Sequence, residues 1–241
     1  MSIRSWLMAV LVGVFLLIVG MSLLVVRSSM SGESKSAGEA LKKGNSLVKQ
    51  CDFDAAITAF TEAIRLDPEA AEAYYNRGVA YEKKGENDKA IADYTEAIRL
   101  NPKLACAYCN RGGAYSSKGE YDKAVTDCTE AIRLELNNAF AFYNRGWAYT
   151  RKGDCENAIA DYTAAIRLNP KFAYAYCNRG VAHGIKGDFD KAITDCTEAI
   201  RLDPKSAEAY FTRGLAYKKK GEQAKAEGDF SQAKKLEHKE K

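Results

Sequence analysis

Few residues here have the type and spacing to do chemistry. Cys106 and Cys109 form a C-x-x-C, which could serve a metal or a redox couple. They fall within one helical period, no second pair stands at a ligand spacing, and Asn110 follows where haem attachment needs a histidine. His183 and His238 are the sole imidazoles, too few for a multi-histidine centre. No phosphate-cradling glycine loop, nucleophile elbow or paired-carboxylate motif is present. The reading is therefore no catalytic residue, no metal, no cofactor, no small-molecule substrate and no enzyme. Seven cysteines, an odd number without short-range pairing, argue against a disulfide-stapled module and for a reducing compartment. Lys+Arg 36 against Asp+Glu 32 leaves +4, with the signs interspersed. A nucleic-acid partner, which needs a basic face, is excluded.

The elements that would position any functional side chain follow a period of 34. Pro68, Pro102, Pro170 and Pro204 are separated by 34 or 68 residues. Counting from Ala37 gives six rows without insertion. Gly holds the eighth place of every row (Gly44, Gly78, Gly112, Gly146, Gly180, Gly214), and Ala the twentieth and twenty-seventh. Each row reads as two helices. The first, as in 71–84, ends at a glycine suited to a left-handed cap, Gly85. The second, 87–100, carries Ala90, Ile91, Tyr94, Ala97 and Ile98 as an apolar stripe, and Asn101-Pro102 stops it. Gly at place eight opposite Ala at place twenty predicts a close approach of the two helices.

In the second row Tyr74, Gly78, Tyr81, Ala90, Tyr94, Ala97 and Pro102 closely resemble the tetratricopeptide repeat signature. The resemblance covers Ala37 to about Lys239. Ala40, Leu47, Cys51, Leu136 and His183 depart from it, which predicts looser first and third rows. It implies an all-α, right-handed superhelical solenoid of six helix-turn-helix repeats: 37–70, 71–104, 105–138, 139–172, 173–206 and 207–241.

Two expectations come from the rows themselves. Arg stands at place seven of rows two to six (Arg77, Arg111, Arg145, Arg179, Arg213) and Asp at place twenty-three of the same rows (Asp93, Asp127, Asp161, Asp195, Asp229). Row one lacks both, having Lys43 and Ala59, so five ion pairs within repeats are predicted. Apolar places twenty-one and twenty-eight become Glu227 and Lys234 in row six, which reads as a polar cap completing the array.

By the resemblance, first helices line a concave groove through places two, five, six, nine, twelve and thirteen. That assigns partner binding to Tyr75, Cys109, Tyr143, Cys177 and Phe211 at place five. Asn76, Asn110, Asn144 and Asn178 join them at place six, and Trp147 at place nine. Rings give contact area, and amides can bind a peptide backbone through donor and acceptor. The implied partner is a segment of another protein; the alternative is that some rings only pack between repeats. A clamp for the acidic tail of heat-shock chaperones, known in some relatives, is not expected. Leu41, Cys106 and Asn110 stand where it needs cations. Cys128 and Cys196 take a core aromatic place, and His183 replaces a packing tyrosine.

The first 36 residues differ from the rest. Trp6 to Val26 is 21 residues without a charge, long enough as a helix to reach roughly 30 Å, the thickness of a bilayer core. Residues 1–5 form a tail, 6–26 a transmembrane anchor and 27–36 a linker. A cleaved signal peptide is the competing reading, against which stand the long apolar run and the lack of an A-x-A-like site. The array, 37–241, is thus expected on a single-pass membrane helix, on the cytoplasmic side by the thiol argument. An exported or periplasmic assembly or co-chaperone-like adaptor is the alternative.

Overall fold

A computed structural model describes residues 36–237; the anchor expected at 6–26 lies outside them. Among the described residues all regular structure is helical: α1 (36–49), α2 (Phe53–Leu66), α3 (Ala71–Lys83), α4 (Asn87–Leu100), α5 (Ala105–Ser117), α6 (Tyr121–Leu134), α7 (Ala139–Lys152), α8 (Cys155–Leu168), α9 (Ala173–Lys186), α10 (Phe189–Leu202), α11 (Ala207–Lys219) and α12 (Gln223–Glu237). None of them is long and apolar enough to cross a membrane. Two compact units divide the chain after Lys84.

In the first unit Phe60 of α2 is fully buried and packs with Ala56, Ala80, Leu41, Leu47, Val48 and Ile57. A methyl group at Gly44 would come within 2.4 Å of the Phe60 ring, so this glycine is what lets α1 lie against α2. Cys51 holds the turn between them at φ 60°, where the other rows use glycine at φ 76° to 86°. It is a β-carbon forced into left-handed backbone.

In the second unit each helix packs on the next, and successive first helices, α5 with α7, α7 with α9 and α9 with α11, also touch. At place eight the structure refines the expected approach. A Cβ at Gly112 would stand 2.6 Å from Cys128 Sγ and 3.2 Å from the Ala124 carbonyl. At Gly146 it would meet the Tyr162 ring at 3.0 Å. The side chain at place twenty-four thus covers the glycine, with the place-twenty backbone behind it.

Four of the five predicted ion pairs lie within this unit, and all four form. Arg111, Arg145, Arg179 and Arg213 each donate from Nε and Nη2 to both oxygens of Asp127, Asp161, Asp195 and Asp229 at 2.7–2.8 Å. The fifth pair, Arg77 with Asp93, has one member in each unit. The third guanidinium nitrogen has a job the sequence reading missed. Nη1 of Arg111, Arg145, Arg179 and Arg213 donates to Thr95, Thr129, Thr163 and Thr197 of the preceding repeat at 3.0–3.1 Å. One arginine therefore ties three helices.

A second ladder runs along the exposed edge. Lys118, Lys152, Lys186 and Lys220 at place fourteen pair with Asp88, Asp122, Glu156 and Asp190 at place eighteen of the row before. Lys84 does the same with Asp54 in the first unit. Its signal was in the sequence: Gln50 and Ala224, at the two ends, are the places that would have no partner.

Candidate functional site

An apolar opening lies between α9 and α11, a cavity of about 450 Å³. Val181, Gly184 and Ile185 form one wall, with Phe189 at the start of α10. Glu208, Phe211, Thr212, Leu215, Ala216 and Lys219 form the other. These are mostly the expected groove places, two, five, six, nine, twelve and thirteen. Ile185, Phe211 and Leu215 are 62%, 50% and 44% exposed, unusual for large apolar side chains in a packed stack. Gly184 leaves open space where a side chain would narrow the groove.

Of the ten residues assigned from sequence, Phe211 alone lines this cavity. Its ring packs at 5.6 Å on Phe230, and no further repeat of the described chain covers its outer side. Cys109 and Cys177, at the same place in earlier rows, are corrected. Both are buried, the first against Ala131, Ile132 and Ala141, the second against Ala199 and Ala209. Place five packs onto the following first helix, so their thiols sit inside the stack. Burial pushes the Cys177 thiol well above its usual range, and that of Cys196 to about 12. Neither is a ready thiolate.

Tyr143 is also a packing residue. Its ring lies 4.9 Å from Phe172 and 5.9 Å from Tyr162, and burial raises its hydroxyl pKa to about 12. The asparagine column joins neighbouring repeats. Asn178 Nδ2 donates to Tyr143 Oη at 2.9 Å, Asn144 Nδ2 to the Cys109 carbonyl at 3.3 Å, and Asn76 Nδ2 to Asn45 Oδ1 at 3.0 Å. Tyr75 and Asn110 are half-buried on α3 and α5. Trp147 stands at its groove place in a T-shaped contact with Tyr121, ring centres 6.1 Å apart, with the Arg151 guanidinium 5.2 Å over its ring.

Sequence reasoning missed Val181, Ile185, Phe189 and Leu215. The signal was there at place thirteen. Five rows hold Lys49, Lys83, Ser117, Arg151 and Lys219, and row five alone holds an apolar residue, Ile185.

Behind the groove, His183 is buried on α9 beside a polar cavity of about 330 Å³ lined with Arg179, Asp190, Lys191, Thr194 and Asp195. Its Nδ1 lies 3.5 Å from Asp188 and makes no hydrogen bond; Nε2 lies 4.0 Å from Asp195. Burial lowers its pKa, against the pull of both carboxylates. Among the described residues no three His, Cys, Asp or Glu side chains are grouped to hold a metal. All seven cysteines are free thiols; Cys106 is half-buried and Cys51 exposed.

Paired helices with an unfilled apolar groove suit a repeat that binds another protein. Tetratricopeptide repeat profiles match residues 41–105, 105–138, 173–206 and 196–228, and a TPR repeat profile matches 146–184. The chain belongs to the tetratricopeptide repeat family. No curated protein matches its sequence significantly. Among solved structures it resembles MamA at 29% identity and a TM-score of 0.60, over 68% of this chain and 95% of that one. It resembles YrrB, described as a TPR protein with an unusual peptide-binding site, at 27% identity and a TM-score of 0.59, over 74% and 92%. Pseudomonas aeruginosa pilF shares the fold at 17% identity and a TM-score of 0.74, over 85% and 93%. The family and the likenesses to MamA and YrrB support a scaffold for protein–protein interaction.

Proposed function

We propose that this protein is a membrane-tethered, non-catalytic scaffold that captures a segment of a partner protein in the groove between α9 and α11. The observation that carries the reading is the exposure of Ile185, Phe211 and Leu215 around one cavity, at places the family uses for ligands. The peptide-binding site of YrrB, a structural relative, supports the same use. The tether rests on the 21 uncharged residues from Trp6 to Val26, bracketed by Arg4 and Arg27.

A photo-crosslinking residue at position 215 in cells is expected to trap a partner, and one at exposed Thr126 is not. Equal trapping from both positions overturns the groove assignment. Deleting 6–26 is expected to move the protein from the membrane to the soluble fraction. Cys51, the exposed thiol, reports topology. Labelling by an impermeant maleimide only after permeabilisation fits a cytoplasmic array, and labelling of intact cells favours the exported adaptor.

A further inference from the structure

We propose that the occupant of the α9–α11 groove is an amphipathic helix lying antiparallel to α11, with a carboxylate at its N-terminal end and a Lys or Arg about three turns later. This rests on the groove reading above and adds the partner's conformation and charge order.

Glu208, Phe211, Thr212, Leu215 and Lys219 follow one another along α11 at steps of three, four, seven and eleven residues from the first. At 100° per residue, Lys219 returns to within ~20° of Glu208, about 16 Å further along the axis. The α11 wall of the groove is therefore a single stripe: carboxylate, aromatic ring, hydroxyl, leucine, ammonium. Neither end charge has an ion-pair partner among the described residues, while neighbouring Lys220 is held by Asp190 and Glu222. Both ends also suit the macrodipole of α11 itself, so their role toward a ligand needs a test of its own.

The middle of the stripe selects the conformation. Between the two charges the Thr212 hydroxyl is the one polar group that α11 brings to the cavity lining, which Ile185 of α9 shares. An extended peptide would press unpaired N–H and C=O groups against Phe211, Leu215 and Ile185; a helix brings its backbone already bonded. The volume, about 450 Å³, is some three times that of a cavity that holds benzene (~150 Å³), room for about three ring- or leucine-sized groups. Residues i, i+3 or i+4, and i+7 of one helix face supply that number. A helix favours acid at its N-terminus and base at its C-terminus, so its basic end belongs at Glu208 and its acidic end at Lys219. That order sets it antiparallel to α11.

The test uses the full chain in phosphatidylcholine nanodiscs, with empty nanodiscs as blank, and three labelled peptides read by anisotropy. All share one apolar stripe. The first has Glu early and Lys late, the second the reverse, and the third two central prolines. The first is expected to bind, the other two at least tenfold more weakly, and Glu208→Lys with Lys219→Glu should invert the preference between the first two. Equal binding of both charge orders, tight binding of the proline peptide, or binding by none overturns the proposal. Leu215→Asp separates the levels. Equal binding of both orders that this variant abolishes leaves the groove standing without the polarity; binding it does not affect removes the groove too. Sedimentation that shows self-association lost in Leu215→Asp makes a second copy the occupant and also overturns the proposal.

Discussion

Tyr121, Trp147 and Arg151 stand at the same three repeat places as Phe189, Leu215 and Lys219, yet the two seams end up differently. Between α5 and α7 the tryptophan meets the tyrosine edge-on, and Arg151 lies over both rings at 5.2 and 5.6 Å. Between α9 and α11 a leucine and a lysine replace the tryptophan and the arginine, Ile185 and Gly184 replace Ser117 and Ser116 on the opposite wall, and the groove stays open. The glycines and ion pairs that hold each hairpin together are shared. Gly146 and Gly214 admit Tyr162 and Phe230, and Arg145–Asp161 and Arg213–Asp229 brace the hairpins. The framework is constant, and the fill of one seam decides whether there is a site.

The largest effect should come from breaking what the seams share. Asp161 is buried with both oxygens on Arg145, so Asp161→Ala leaves a cation part-buried without its carboxylate. The expected loss is ~3 kcal/mol in chemical denaturation. Asp122→Asn, which cuts the exposed edge contact to Lys152, should not shift the midpoint measurably. If Asp161→Ala cost no more than the edge variant, the arginine would be a surface contact and the shared frame would be packing alone.

Next in size is the exchange of the fills. Leu215→Trp with Lys219→Arg should close the open seam as Trp147 and Arg151 close theirs, lowering partner affinity at least tenfold while the melting temperature holds. Undiminished binding would mean that the partner docks elsewhere. The reverse change, Trp147→Leu, gives up a cation–π contact and an aromatic edge pair, together about 1–2 kcal/mol of stability. A variant as stable as the parent would show that the Tyr121–Trp147–Arg151 cluster carries no weight and that Trp147 is free for a ligand.

The frame was legible because its residues repeat. Gly at place eight, Ala at twenty and the Arg–Asp pairing recur row after row, and each has one packing reason that a single sequence displays several times. The site is what does not repeat, so the same reasoning averaged over it. Cys109 and Cys177 were assigned to the groove because they share a place with Phe211. They differ from it in having a following helix, with Ala141 or Ala209, to bury them. Place number fixes the direction of a side chain along its helix, not what covers it. Ile185 broke the pattern of place thirteen, and a search for exceptions would have led to the open seam.

One more exception separates the seams, at place eleven of the leading helix, where α5 has Tyr115 and α9 His183. His183 is buried and its pKa is pushed below the ordinary ~6.5, mainly by lost hydration. The unfolded chain therefore binds a proton at a pH where the folded chain does not. With more protons on the unfolded state, stability rises with pH, so it should fall as pH drops through about 6.5 toward the lower folded value. The effect is modest, because Asp188 and Asp195 partly offset the burial. Since His183 shares α9 with Gly184 and Ile185, opening there would loosen one wall of the groove. Denaturation at pH 7.5 and 5.5 should show the loss in the parent and less of it in His183→Tyr. An equal loss in both would take His183 out of the pH response and leave the two hairpins equivalent at this place.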